Sequence, residues 1–255
     1  MNIKIIENEK PILQKIKFNC DDKLCDKLDK FPMIRDHFNK YNTTLFVGRQ
    51  GSGKTSLAIN FIKQIYKKKF HKIYVFIPST SRSSLKPNRF DILPEEQLFE
   101  ELNEQNISLV YEQLKENKKN KFKSLILYDD VQKALKDVTV LKSLQNIIAN
   151  QRHLFVVNFI LAQNFYNVDP KIREIINNLI FFKMDKKQTE KIFKNVVEIP
   201  KENFDNIRDF VFDENYNWCM INLGSKRMYK GFDEIVLVNS NSDNEIEKIN
   251  NIYKK

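Results

Sequence analysis

The octapeptide Gly48-Arg49-Gln50-Gly51-Ser52-Gly53-Lys54-Thr55 limits what this chain can fold into more than any other stretch. It matches the pattern Gly-x-x-x-x-Gly-Lys-Ser/Thr. Glycines let a short backbone segment curl until successive N–H groups face one anion, and the helix that follows adds its positive end. The lysine places a point charge on the β- and γ-phosphates, and the threonine hydroxyl is a Mg²⁺ ligand. Such a loop requires a buried strand before it and a helix after it. Thr44 to Val47 is a short apolar strand, and Leu57, Ala58, Phe61, Ile62 and Ile65 recur at helical spacing over Thr55 to Lys67. Three of the chain's five glycines lie in this loop. Gly48 through Ser56 is therefore expected to hold the phosphates of ATP.

The rest of the chain alternates in the same way. Strands are expected at Lys72 to Ile77, Ser124 to Tyr128, Phe155 to Leu161 and Leu179 to Phe182. Helices are expected over Glu95 to Lys118 (one or two), along the stripe Val131, Ala134, Leu135, Val138, Leu141, Leu144 and Ile148, from Asp169-Pro170 to Asn178, and over Lys186 to Val197. Short, fully apolar strands suit a largely parallel sheet covered on both faces. Trp218 to Asn222 and Arg227 to Phe232 form a C-terminal β-hairpin candidate around Leu223 to Lys226. The expected division is an accessory segment at 1–41, a P-loop ATPase core at 42–198, and an extension at 199–255 ending in a polar tail.

A phosphate loop needs a second carboxylate for the metal shell, at the end of a buried strand beside it. Asp129 follows the apolar run Leu125 to Tyr128 and fits that role. Asp130 then faces the attacking water as base or orienter. Gln163 ends the next strand, where an uncharged amide can bond both water and phosphate. Arg152 lies eleven residues before Gln163, at the opposite end of the sheet from its own phosphates. On its own it reads as a cation closing a helix. It could also reach a neighbouring subunit's nucleotide as an arginine finger in trans.

Taken together, Arg152-His153, an apolar strand, Ala162-Gln163 and Asp169-Pro170-Lys171-Ile172-Arg173 resemble the FtsK/HerA superfamily of DNA-pumping ATPases, over about residues 43–194. They are most similar to the small genome-packaging ATPases of poxviruses, giant viruses and virophages. The resemblance implies a RecA-like P-loop NTPase core and a ring-shaped homo-oligomer, a hexamer or a pentamer. It implies ATP- and Mg²⁺-dependent translocation of double-stranded DNA into a capsid, with a capsid or portal component as partner. Carried over by position, Lys54 and Thr55 serve phosphate and Mg²⁺, Asp129 the metal, Asp130 catalysis and Gln163 sensing. Arg152 is the trans finger and Arg173 the second choice. Asp130 stands where the chromosome-pumping branch usually has Glu. The expected setting is the host cytoplasm or a viral factory, or the virion, with neither a membrane anchor nor a winged-helix module.

Composition sets the remaining bounds. A formal charge of +10 favours polyanions. Lys115, Lys118, Lys119, Lys121 and Lys123, or Arg82, Lys86 and Arg89, are candidate DNA contacts, although a solvated charge run is the preferred reading of the lysines. Phe181 and Phe182 read as core. Cys20, Cys25 and Cys219, with His37 the one histidine near the first two, make no zinc set. No stretch is apolar enough to span a membrane. A GTPase switch lacks its glycine after Asp130, and Phe182-Lys183-Met184-Asp185 has Phe where a guanine-reading Asn belongs. A helicase or DNA loader would share this core and is the competing function.

Overall fold

The computed structural model of the 255-residue chain describes residues 2–6, 38, 40–65, 69–83, 90, 93–130 and 132–238. Cys20, Cys25, His37, Lys86, Arg89 and the polar tail lie outside them. Among the described residues, a ten-stranded sheet runs in the order β1-β10-β9-β8-β7-β2-β6-β5-β3-β4. In chain order the strands are β1 (Asn2–Ile6), β2 (Thr43–Val47), β3 (Lys72–Phe76), β4 (Leu98–Phe99), β5 (Ser124–Asp129), β6 (Val156–Ala162), β7 (Asn178–Phe182), β8 (Trp218–Asn222), β9 (Arg227–Lys230) and β10 (Asp233–Val238). From β4 to β7 every pairing is parallel, and from β7 outward to β1 every pairing is antiparallel.

The helices are α1 (Lys54–Asn60), α2 (Ser79–Ser83), α3 (Glu104–Lys119), α4 (Val138–Ala149), α5 (Gln151–Leu154), α6 (Pro170–Ile175), α7 (Lys186–Ile192) and α8 (Phe204–Val211). Strand side chains alternate between two cores, as the pleat requires. Leu45 and Val47 of β2 join one core, with residues of α3, α4, α6, α7 and α8. Phe46 joins the other, with Leu57, Ala58 and Ile59 of α1. This is the mostly parallel sheet flanked by helices that the alternation called for, with antiparallel strands added at its C-terminal side.

Several boundaries differ from expectation. Leu98 and Phe99 leave the expected helix and pair with Val75 and Phe76, because Phe99 stacks on Phe76 at 4.9 Å between ring centres. Asn103 then restarts the helix, its side chain accepting from Asn106 N at 2.9 Å. The phosphate-loop helix passes into a π-helical turn at Phe61–Ile65. Phe61 is fully buried there, against Phe38, Phe46, Phe159, Trp218 and Phe232. A second π turn, Phe193–Val197, extends α7. The C-terminal hairpin is present as β8 and β9, but β9 stops at Lys230. Gly231 turns the chain at φ 63°, and β10 returns to pair with β1. Ser79–Ser83, expected as part of a polar loop, is helical, and helices α5 and α8 and strands β1, β4 and β10 also have no counterpart in the expected pattern.

Candidate functional site

Strand β6 lies between β2 and β5, and the register sets the height of everything that follows. Val47 pairs with Ala162, and Asp129 pairs with Leu161. The loop after β2 and the acids at the end of β5 therefore meet at one level of the sheet's C-terminal edge, where open α/β sheets bind ligands.

Gly48 N donates to Ala162 O at 3.1 Å, tying the loop to β6. A Cβ on Gly48 would stand 2.6 Å from Ser52 Oγ and 3.1 Å from Phe182 Cβ, so no other residue fits that position without displacement. Gly53 has φ 97°, a left-handed conformation that frees its carbonyl to accept from Leu57 N at 2.8 Å as α1 begins. Ser52 Oγ is buried and finds no hydrogen-bond partner among the described residues. Arg49, Gln50, Gly51 and Ser56 are exposed around the mouth of the loop. Lys54 Nζ donates across that mouth to Arg49 O at 3.0 Å.

Thr55 Oγ1 donates to Asp129 Oδ2 at 3.0 Å. Asp129 is only 6% exposed, and burial lifts its carboxyl above the ordinary Asp range against the pull of Thr55 and Lys54. Burial likewise lowers the Lys54 ammonium, opposed by Asp129 and Asp130. Asp130 turns out of the strand at φ 53°, a conformation that Asp tolerates better than most residues. Its carboxylate accepts from Gln163 Nε2 at 3.3 Å. Lys54, Thr55, Asp129, Asp130 and Gln163 thus line one cleft of about 780 Å³. The cleft also contains residues that no sequence motif marks: Thr80 and Ser81 of α2, Tyr216 and Trp218.

Arg152 is not in this cleft. It is exposed on α5, immediately before β6, at the opposite edge of the sheet. Its neighbour Gln151 is buried and belongs to a polar seam at the foot of β2. Thr43 Oγ1 donates to Gln151 Oε1 at 2.7 Å, and Gln151 Nε2 donates to Asn177 Oδ1 at 3.0 Å. Asn158 Nδ2 donates to Thr43 Oγ1 at 3.2 Å. Arg173 is held within its own chain, donating from Nε to Val168 O at 3.1 Å with its guanidinium 5.1 Å from the centre of the Phe165 ring. Lys115 and Lys119 pair with Glu112 and Glu116 along exposed turns of α3. Asp185 caps α7 by accepting from Gln188 N at 2.9 Å, and Phe181 and Phe182 are core.

Among the described residues, no cluster of three or more His, Cys, Asp or Glu could hold a metal by itself. The half-buried Thr55–Asp129 oxygen pair nevertheless suits a hard cation completed by phosphate oxygens, the usual arrangement for Mg²⁺ at triphosphates. No described helix is long and apolar enough to cross a membrane.

The family model described as Poxvirus A32 protein matches residues 30–210, more than half of the chain. No curated protein matches. Among solved structures, the chain is similar to the genome packaging NTPase B204 from Sulfolobus turreted icosahedral virus 2 in complex with ATP-gammaS. The TM-score is 0.60 at 14% identity, covering 79% of this chain and 100% of that one. The same NTPase with AMPPCP gives 0.58 at 14% identity over the same shares. B204, the DNA-packaging ATPase from Sulfolobus Turreted Icosahedral Virus, gives 0.56 at 16% identity, covering 74% of this chain and 95% of that one. At such identities the likeness shows a shared fold.

Proposed function

Because this chain belongs to the poxvirus A32 protein family, a family of viral genome-packaging ATPases, we propose that it is an ATP-hydrolysing motor that moves double-stranded DNA into a capsid. The observation that carries the proposal is the Thr55–Asp129 hydrogen bond, which joins the phosphate loop to the acidic strand end inside the cleft. Residues 42–198 form the motor core, which works as a ring of identical subunits in the host cytoplasm or viral factory, with the capsid or its portal as partner.

The chemistry follows from the side chains. Loop N–H groups, the buried Ser52 hydroxyl and the Lys54 ammonium grip the β- and γ-phosphates. Thr55 and Asp129 would hold Mg²⁺, which when bound neutralises charge on the phosphate oxygens. Asp130, oriented by the Gln163 amide, aligns a water with the γ-phosphorus and takes its proton as the new P–O bond forms and the bridging P–O bond breaks. Arg152, at the far edge of the sheet, serves the neighbouring subunit's nucleotide in trans, where it stabilises transition-state charge.

The test is ATP turnover with and without duplex DNA, alongside a mass measurement in solution. Turnover by a ring-sized assembly, stimulated by blunt duplex without strand separation, supports the proposal. Unwinding of forked substrates identifies a helicase instead. Indifference to ATP and Mg²⁺ under every assembly condition removes the motor altogether.

A further inference from the structure

We propose that Tyr216 is the platform on which the base of the bound nucleotide stacks; this rests on the phosphate-loop reading above and extends it to the nucleoside. The direction of the ligand follows from the sheet. The γ-phosphate end points towards Asp129, Asp130 and Gln163, on the β6 and β5 side of β2. The nucleoside end must then leave towards β7 and β8, the other side of β2. Tyr216 stands on that side, in the loop between α8 and β8. It lines the main cleft and also a contiguous cleft of about 330 Å³ that runs out from Arg49, Gln50 and Gly51.

Three further observations separate Tyr216 from an incidental surface ring. It is 71% exposed, whereas Trp218, two residues on, packs edge-on against Phe61 and Phe232 at 5.9 and 5.1 Å between ring centres. Its ring meets the phosphate loop, since a Cβ on Gly53 would lie 3.5 Å from Tyr216 Cδ1. Its backbone is left-handed, φ 67°, a strained state for a ring-bearing residue that persists only when the surroundings impose it. They do so here: Asp213 accepts from Asn217 Nδ2 and from Lys230 Nζ, both at 2.7 Å, fastening the loop to β9. The result is a large aromatic face held open beside a phosphate-binding loop. Base–aromatic stacking needs such a face and tolerates any base.

The experiment measures equilibrium binding of ATP and of inorganic tripolyphosphate to the full chain, wild type, Tyr216→Ala and Tyr216→Trp. Tyr216→Ala should weaken ATP about tenfold or more, leave tripolyphosphate unchanged, and be rescued by Tyr216→Trp. Equal ATP affinity in wild type and Tyr216→Ala, or equal loss of both ligands, overturns this inference while the phosphate loop stands. A wild-type protein that binds neither ligand overturns both.

Discussion

The Thr55 hydroxyl donates to the Asp129 carboxylate across 3.0 Å, although the two residues are 74 positions apart in the chain. The geometry ties metal demand to one carboxylate. Asp129→Asn keeps the shape and removes the charge. It should raise the Mg²⁺ needed for half-maximal ATP turnover by about 10- to 100-fold. An unchanged Mg²⁺ titration would take Asp129 out of the metal shell.

Lys54 places its ammonium across the loop's mouth, on Arg49 O. Lys54→Ala should lower turnover by about 10²–10³-fold, the scale for removing one transition-state charge contact. Ordinary turnover by that variant, measured as phosphate release, contradicts the site.

Burial raises the Asp129 carboxyl and lowers the Lys54 ammonium, so both charged forms oppose folding of the nucleotide-free protein. For Asp129 the native state binds more protons than the unfolded state between the ordinary Asp value and the raised one. Stability through this group therefore falls as pH rises through that window and stays reduced above it. For Lys54 the native state binds fewer protons between its lowered value and the ordinary one. Its penalty is present below the lowered value and is relieved as pH rises through the window. Asp129→Asn should accordingly raise the neutral-pH Tm of the nucleotide-free protein, by about 2–4 °C for each kcal/mol recovered, and flatten the acid-side pH dependence. A lower Tm in that variant at neutral pH sinks this account.

Arg152 and Asp130 lie at opposite edges of the sheet, and this makes complementation the informative test. Arg152→Ala alone should reduce turnover about 10³-fold or more while ATP still binds. Mixing Arg152→Ala with Asp130→Asn subunits should restore part of the activity, because some interfaces then pair an intact Asp130 with an intact arginine. A mixture as inactive as its parents argues against a finger supplied in trans.

What could be read from the residues was local. The phosphate loop, the acids closing β5 and the amide closing β6 are short motifs at the ends of apolar strands, and the parallel sheet brings them into one cleft. What could not be read depends on distant pairing. Leu98 and Phe99 form a strand only because Phe76 offers a ring to stack on, and a two-residue strand has no period of its own. Among the described residues, β1 pairs with β10 alone, more than two hundred residues away. Helix α8 is an exception, because Phe204, Ile207 and Val211 recur at helical spacing and its period was there to be read. Tyr216 carries no motif; it reaches the phosphate loop because β8 turns back beside β7. Gln151 is likewise an ordinary helix residue until the fold sets it against Thr43.

Strand β2 is pinned at both ends, above by the phosphate loop and below by Gln151, Asn177 and Asn158. Its five residues, about 17 Å long, are buried between β6 and β7 and cannot stretch or bow. A tilt of α5 at the lower edge would therefore have to break the buried hydrogen bonds of Gln151 to Thr43 and Asn177, or carry β2 with it.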